Sequence, residues 1–144
     1  MTTLLGYLAL TAAAMFAGVA LYINFSEQPA RLGLDDKNAL AEWKPSYAKG
    51  YDMQASLAMI SGVLGLLVGW QTSDWRWAVG GVLILVNWPY TLLVMAPTNK
   101  TLYTIAPADA GPASRKLLET WARLHAVRTG LGLAATVAYL IALR

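Results

Sequence analysis

His125 is the single histidine of the 144-residue chain, and Arg128 follows it three positions later. In a helix that spacing places both side chains on one face. An imidazole with an ordinary pKa near ~6.5 can take up and return a proton near neutrality. Arg128 lies roughly one turn inside an apolar run, and an unpaired arginine at that depth costs several kcal/mol, so a functional site is its first reading. The competing reading has Arg128 snorkelling to lipid headgroups with His125 at the interface. Glu27 and Asp52 sit at the ends of other apolar runs, where either could pair with Arg128 and orient His125 as a base, or simply mark a helix end.

Other polar residues collect near this pair. Asn87 falls near the middle of an apolar run, where its amide must bond another helix or line a polar cavity. Asn99 and Lys100 follow the end of that run, as a cap or anchor or as part of a site. Trp43, Tyr47, Tyr51 and Trp121 either belong to the aromatic belt of a membrane protein or stack on a flat substrate. Asn24, Glu27, Trp43, Tyr47, Tyr51, Asn87, Asn99 and Trp121 are therefore the expected substrate contacts around His125 and Arg128.

Composition narrows the chemistry. Hydrophobic residues make up 57% and charged residues 13%, against about 25% charged in an ordinary soluble domain. The chain has no cysteine, which excludes disulfides, thiolate metal sites, iron–sulfur clusters and a thiol nucleophile. With one histidine, a pair of axial haem ligands from one chain is excluded too. The net charge of +3 is small and its basic residues are scattered, so no stripe for nucleic acid exists.

The elements that must position these residues are membrane helices. A span needs about 20 mostly apolar residues, and four runs qualify: Leu4 to Phe25, Met53 to Trp70, Trp77 to Ala96 and Leu124 to Leu143. The expectation is one all-α domain over residues 1–144, an integral membrane four-helix bundle with two long loops or short helices on one side. The N-terminus lacks a positive n-region and reads as an uncleaved first helix. A short link, Gln71 to Arg76, makes a hairpin of the second and third spans. The long links, Ser26 to Asp52 and Pro97 to about Arg123, then share the other side. Trp43, Tyr47 and Tyr51 recur every four residues, so the first long link should contain helix, with Pro45 as a start or kink. From Ala113 the helical pattern enters the fourth span unbroken, for about 31 residues or about 47 Å. Arg31, Lys37, Lys44, Lys49, Lys100, Arg115, Lys116 and Arg123 lie on the long-link side, which the positive-inside rule puts in the cytoplasm with both termini outside.

Small residues mark the packed faces. Ala13, Ala17 and Ala20 continue into Asn24 and Glu27. Ala55, Ala58, Gly62, Gly65 and Gly69 continue upstream into Tyr51. Gly132 and Ala135 continue upstream into Arg128, His125 and Trp121. Each stripe ends in polar residues at the long-link side, so the bundle should be tight at the terminus side and open into a polar, aromatic-lined mouth. Pro89 should bend the third helix by leaving the Leu85 carbonyl unpaired.

Two segments carry a family resemblance. Asn87-Trp88-Pro89-Tyr90-Thr91 through Pro97-Thr98-Asn99-Lys100-Thr101-Leu102, with Trp121-Ala122-Arg123-Leu124-His125-Ala126-Val127-Arg128-Thr129, resemble the anthrone-oxygenase-like family of small four-helix membrane proteins. Pro29, Trp43 and Gly50 also fall where that family often has such residues. The resemblance implies oxidation of a polyphenolic anthrone by O2 without flavin or haem, with His125, Arg128, Asn99 and Trp121 as site residues. On that reading His125 is the base and Arg128 holds the oxyanion, while Asn87 and Asn99 donate to substrate oxygens. Two alternatives stand beside it: a metal-dependent membrane enzyme using His125 with Glu27 and Asp52, and a non-catalytic binder or transporter of a lipid or hydrophobic solute. The expected partners are the bilayer and a hydrophobic small molecule, with O2 as co-substrate, no organic cofactor and a homo-oligomer left open.

Overall fold

Four apolar stretches punctuated by turn residues fold into four long helices: α1 (Thr3–Leu32), α2 (Asp36–Thr72), α3 (Trp75–Thr104) and α4 (Pro112–Ala142). The computed structural model describes residues 2–144, with side chains from Thr3, and contains no strand among them. Each helix is long and apolar enough to cross a bilayer, and the chain is an integral membrane protein. The connections are short, so successive helices run antiparallel. α1 packs on α2 and α4, and α3 packs on α2 and α4, which closes a four-helix ring.

Local chemistry sets the turns. Asp35 is extended and its carboxylate accepts from the Asn38 amide at 3.0 Å, capping α2. Asp74 caps α3 in the same way through the Arg76 amide. Between them Ser73 adopts the left-handed conformation with φ of 56° and ends α2. Arg115 donates to the carbonyls of Leu32 and Leu34, and Lys44 to those of Tyr103 and Ile105. These cations satisfy the open carbonyls at the C-terminal ends of α1 and α3.

The two links expected to be long are mostly helix. α1 runs on past Phe25 to Leu32, α2 begins at Asp36, and α3 continues past Ala96 to Thr104. Only residues 33–35 and 105–111 connect them, the latter with a 3₁₀ turn at Pro107–Asp109. The 37 residues of α2 make a rod of about 55 Å, far longer than the ~30 Å hydrocarbon core. Helix persists beyond the apolar run because the extensions of α1, α2 and α3 pack against the N-terminal part of α4. Trp43, Leu40, Leu102, Leu118 and Trp121 form a buried cluster there.

Both α1 and α3 contain a π-turn, at Ile23–Glu27 and Thr91–Met95. Each lies just before a proline, Pro29 or Pro97. A proline inside a helix has no N–H to donate, and its ring collides with the carbonyl four residues back. The wider turn accommodates this. Gln28 donates to Ile23 and Ala96 to Thr91, five residues back in each case. Such turns concentrate at functional sites, and here both flank the mouth.

The opposite end is tightly closed. The Tyr139 ring fills the space over Gly65 and Gly80, where an added Cβ would fall 2.0 Å from the Tyr139 hydroxyl and 2.5 Å from its ring respectively. The same hydroxyl donates to the Ser61 carbonyl at 2.9 Å, and Ser61 donates to Ala9 at 2.8 Å. Gly62 lies under Leu85, Gly69 abuts the α3 backbone, and Gly132 receives Phe16. The small-residue stripes thus face the bundle as their spacing predicts.

Candidate functional site

The candidate site lies between the four helices, with Arg128 over the Phe16 ring. α4 presents Trp121, His125 and Arg128 from successive turns of one face, all buried. Trp121 stacks on His125, ring centroids 4.9 Å apart and planes within 26°. α2 brings Tyr47, Tyr51 and Gln54, and α3 brings Asn87 and Thr91. Two adjoining cavities result. The first has a volume of about 20 Å³, and its lining includes His125, Arg128, Trp121, Tyr47, Tyr51 and Gln54 together with Glu27, Arg31 and Ser46. The second, of about 10 Å³, lies between Tyr51, Ala58, Asn87, Trp88, Thr91 and Arg128. Arg128 and Tyr51 border both.

Arg128 is 4% exposed. Among the described residues it makes no hydrogen bond or ion pair, and its Nε is buried without a partner. Its guanidinium carbon lies 5.6 Å from the centre of the Phe16 ring. Buried charges are normally paired, and this one instead borders the two small cavities. It does not extend to headgroups.

His125 is held from behind. Its Nδ1 lies 2.8 Å from Asn24 Oδ1. Thr129 also donates to that oxygen at 2.7 Å, and the Asn24 amide nitrogen donates to the Ala122 carbonyl at 3.1 Å. His125 Nε2 has no hydrogen-bond partner among the described residues. Asn24 therefore sits behind the imidazole and is not among the residues lining either cavity.

The acids go elsewhere. Glu27 pairs with Arg31 and accepts from Ser46, and does not pair with Arg128. Arg31 also pairs with Glu42 and bonds Gln28. Its guanidinium lies 5.9 Å from the Trp121 ring centre. The preference follows from spacing, since Glu27 and Arg31 are one helical turn apart. Asp52 is exposed on an outer depression with Met59 and Ile60. His125, Glu27 and Asp52 are thus not brought together as a ligand set, and no cluster of three His, Asp or Glu occurs among the described residues.

The aromatics largely stack on one another. Trp43 is fully buried, lies 4.9 Å from Tyr47 in near-parallel stacking, and meets Trp121 edge-on at 6.0 Å. It supports the wall rather than lining a cavity, unlike Tyr47, Tyr51 and Trp121. Asn99 donates to the Tyr47 hydroxyl at 2.8 Å, and its own Oδ1 is buried without a partner. Asn87 bonds the Ile84 carbonyl of its own helix at 3.0 Å and leaves its Oδ1 unpaired at the second cavity.

Several participants escaped sequence reasoning. Thr129 is four residues from His125 and shares its face, a signal that was available. Arg31 reads as loop charge from sequence, yet it is 2% exposed, with an acid at i−4 as the overlooked sign. Gln54 and Ser46 carried no local mark.

Comparison with known proteins places these features in a family. The profile of the anthrone oxygenase family matches residues 43–138, which contain every cavity-lining residue named above on α2, α3 and α4. The anthrone oxygenase tpcL of Aspergillus fumigatus is 38% identical over 95 residues, covering 58% of this chain and 56% of that protein. An anthrone oxygenase of Claviceps purpurea is 28% identical over 140 residues, covering 86% of this chain and 76% of its own length. The aligned part thus spans little more than half of the Aspergillus relative. No solved structure matches. The chain belongs to the anthrone oxygenase family.

Proposed function

We propose that the protein is a membrane-embedded oxygenase that uses O2 to oxidise a hydrophobic phenolic substrate of the anthrone type, with no organic cofactor. The observation that carries this reading is an imidazole with an unengaged Nε2 beside a buried guanidinium without a partner, both at one cavity. The names of the two relatives point the same way.

His125 Nε2 removes a proton from the methylene carbon opposite the substrate carbonyl. The charge spreads through the fused rings onto the carbonyl oxygen, where Arg128 offers a planar fork of donors. Stabilising that oxyanion in a dry site is worth about 3–4 kcal/mol. The carbanion gives one electron to O2, and the two radicals combine to a hydroperoxide. Loss of the second C–H proton and of hydroxide then gives the quinone carbonyl. The methylene loses four electrons and O2 gains four, so one oxygen enters the product, the other leaves as water, and no external reductant is needed. His125 takes a proton and returns it, so the cycle ends with the site as it began. Entry of a fused aromatic ring system requires Tyr47, Tyr51 and Trp121 to part from one another, after which their flat faces stack on it and Asn87 Oδ1 supplies an acceptor for a phenolic hydroxyl.

The test is O2 uptake by the protein in lipid nanodiscs with a panel of anthrones, using labelled O2 to follow one atom into product. His125→Ala should lower turnover about 10²–10⁴-fold while leaving helicity unchanged. Full turnover in that variant rejects the mechanism. A ligand that is retained unaltered without O2 uptake favours the binder.

A further inference from the structure

The contacts behind His125 decide which ring nitrogen faces the cavity. The Ala122 carbonyl can only accept, so the Asn24 atom 3.1 Å from it is the amide nitrogen. The other terminal atom of Asn24 is then the oxygen. Thr129 directs its hydroxyl at this oxygen at 2.7 Å, and its remaining neighbours, the Ala20 and His125 carbonyls at 3.3 and 3.4 Å, are also acceptors. An oxygen 2.8 Å from His125 Nδ1 requires the proton on that nitrogen. From this chain of donors we infer that Asn24 and Thr129 are positioning residues. They hold His125 as the Nδ1–H tautomer and present a bare Nε2 to the cavity.

This inference rests on the reading of His125 as the proton-abstracting base. Its chemical content is separate, because it specifies where a proton sits whether or not turnover occurs. The arrangement performs for an imidazole what a buried carboxylate performs in a hydrolase triad, fixing tautomer and ring orientation, with a neutral amide in place of a charge. A neutral partner suits a base that stands beside Arg128, since it adds no anion to compete with the substrate for the guanidinium. The backbone bond to Ala122 locks the amide against rotation. α1 thereby orients the ring on α4 across 101 residues of sequence.

The chain has one histidine, so ¹⁵N-histidine labelling reports His125 alone. In nanodiscs the spectrum of the intact protein should show a protonated Nδ1 and an unprotonated Nε2. Asn24→Leu should move the proton to Nε2 or mix the two forms, and lower kcat about 10–100-fold with little change in KM. Asn24→Asp keeps an acceptor, so it should retain the Nδ1–H form and recover part of the lost turnover. A protonated Nε2 in the unmodified protein overturns the inference before any variant is made. An Asn24→Leu spectrum identical to that of the parent overturns it as well. If the tautomer responds as expected while His125→Ala keeps full turnover, the positioning stands and the assignment of His125 as base falls.

Discussion

The two halves of this bundle treat polar atoms in opposite ways. At the closed end, the Ser61 and Tyr139 hydroxyls donate to carbonyls of neighbouring helices, and glycines let a tyrosine ring seat against bare backbone. At the open end lie the six buried side-chain polar atoms that have no partner among the described residues: Trp43 Nε1, Gln54 Nε2, Asn87 Oδ1, Asn99 Oδ1, Trp121 Nε1 and Arg128 Nε. Each such atom costs on the order of 1–3 kcal/mol when nothing satisfies it. Native folds keep such atoms few, and unmade bonds gathered at one place call for a water, an ion, a ligand or a catalytic role. The same four helices thus hold a packed anchor below and an incompletely bonded chamber above.

Replacing Arg128 should separate the halves most sharply. Arg128→Met removes an unpaired buried charge but keeps apolar bulk. Its unfolding midpoint in SDS titration should rise, by about 1–4 kcal/mol of stability. Turnover should fall about 10²-fold or more. A loss of stability together with activity would mean that the guanidinium has a structural partner, and the contrast between the halves would break.

Glycine substitutions extend the comparison. Gly65→Ala at the closed end drives a Cβ into the Tyr139 hydroxyl, and such overpacking costs about 1–3 kcal/mol. Gly50→Ala at the rim of the first cavity meets nothing within 4 Å. It sits inside α2, so alanine should stabilise it by about 0.5–1 kcal/mol. Equal effects in SDS titration would show that the two ends are packed alike.

The smallest effect belongs to the cap between α1 and α2. The Asn38 amide bond to Asp35 holds its carboxyl below the ordinary value of 3.8. A depressed folded-state value contributes stability above 3.8 that fades as pH falls through the lower folded value. The parent protein should therefore lose a slight advantage over Asp35→Ala in strongly acidic solution, read as convergence of their SDS midpoints.

Much of this was legible in the sequence, for a definite reason. Spans, stripes and the His125–Arg128 face depend on spacings of three and four residues within one helix, which periodicity records directly. The inward face of Gly62, Gly65 and Gly69 follows from the same rule. The pairing of His125 with Asn24 joins residues 101 positions apart, and no local pattern encodes it. Glu27 is instructive because a local signal existed. Arg31 one turn later was its natural partner, but reading Arg31 as topology charge left Glu27 free to be assigned to Arg128. The extent of α1 and α3 was hidden because the apolar runs stop at Phe25 and Ala96, whereas the helix continues through a π-turn and past Pro29 and Pro97.

Those π-turns also bear on how such a protein diverges. A π-turn is in effect one residue inserted into an α-helix, and each α-helical residue advances the face by about 100°. Everything in α1 and α3 beyond Glu27 and Met95 is therefore re-aimed relative to the packed segment below. The anchor keeps its own phase of small residues while the chamber runs on another. Substitutions above the insertion can remodel what the mouth accepts without disturbing the glycine-to-tyrosine packing beneath. Deleting one residue there would rotate Gln28 and Arg31, or Asn99 and Leu102, off the faces they now occupy. Gain or loss of a single residue at either turn would therefore change the chamber in one discrete step, where point substitution changes it gradually.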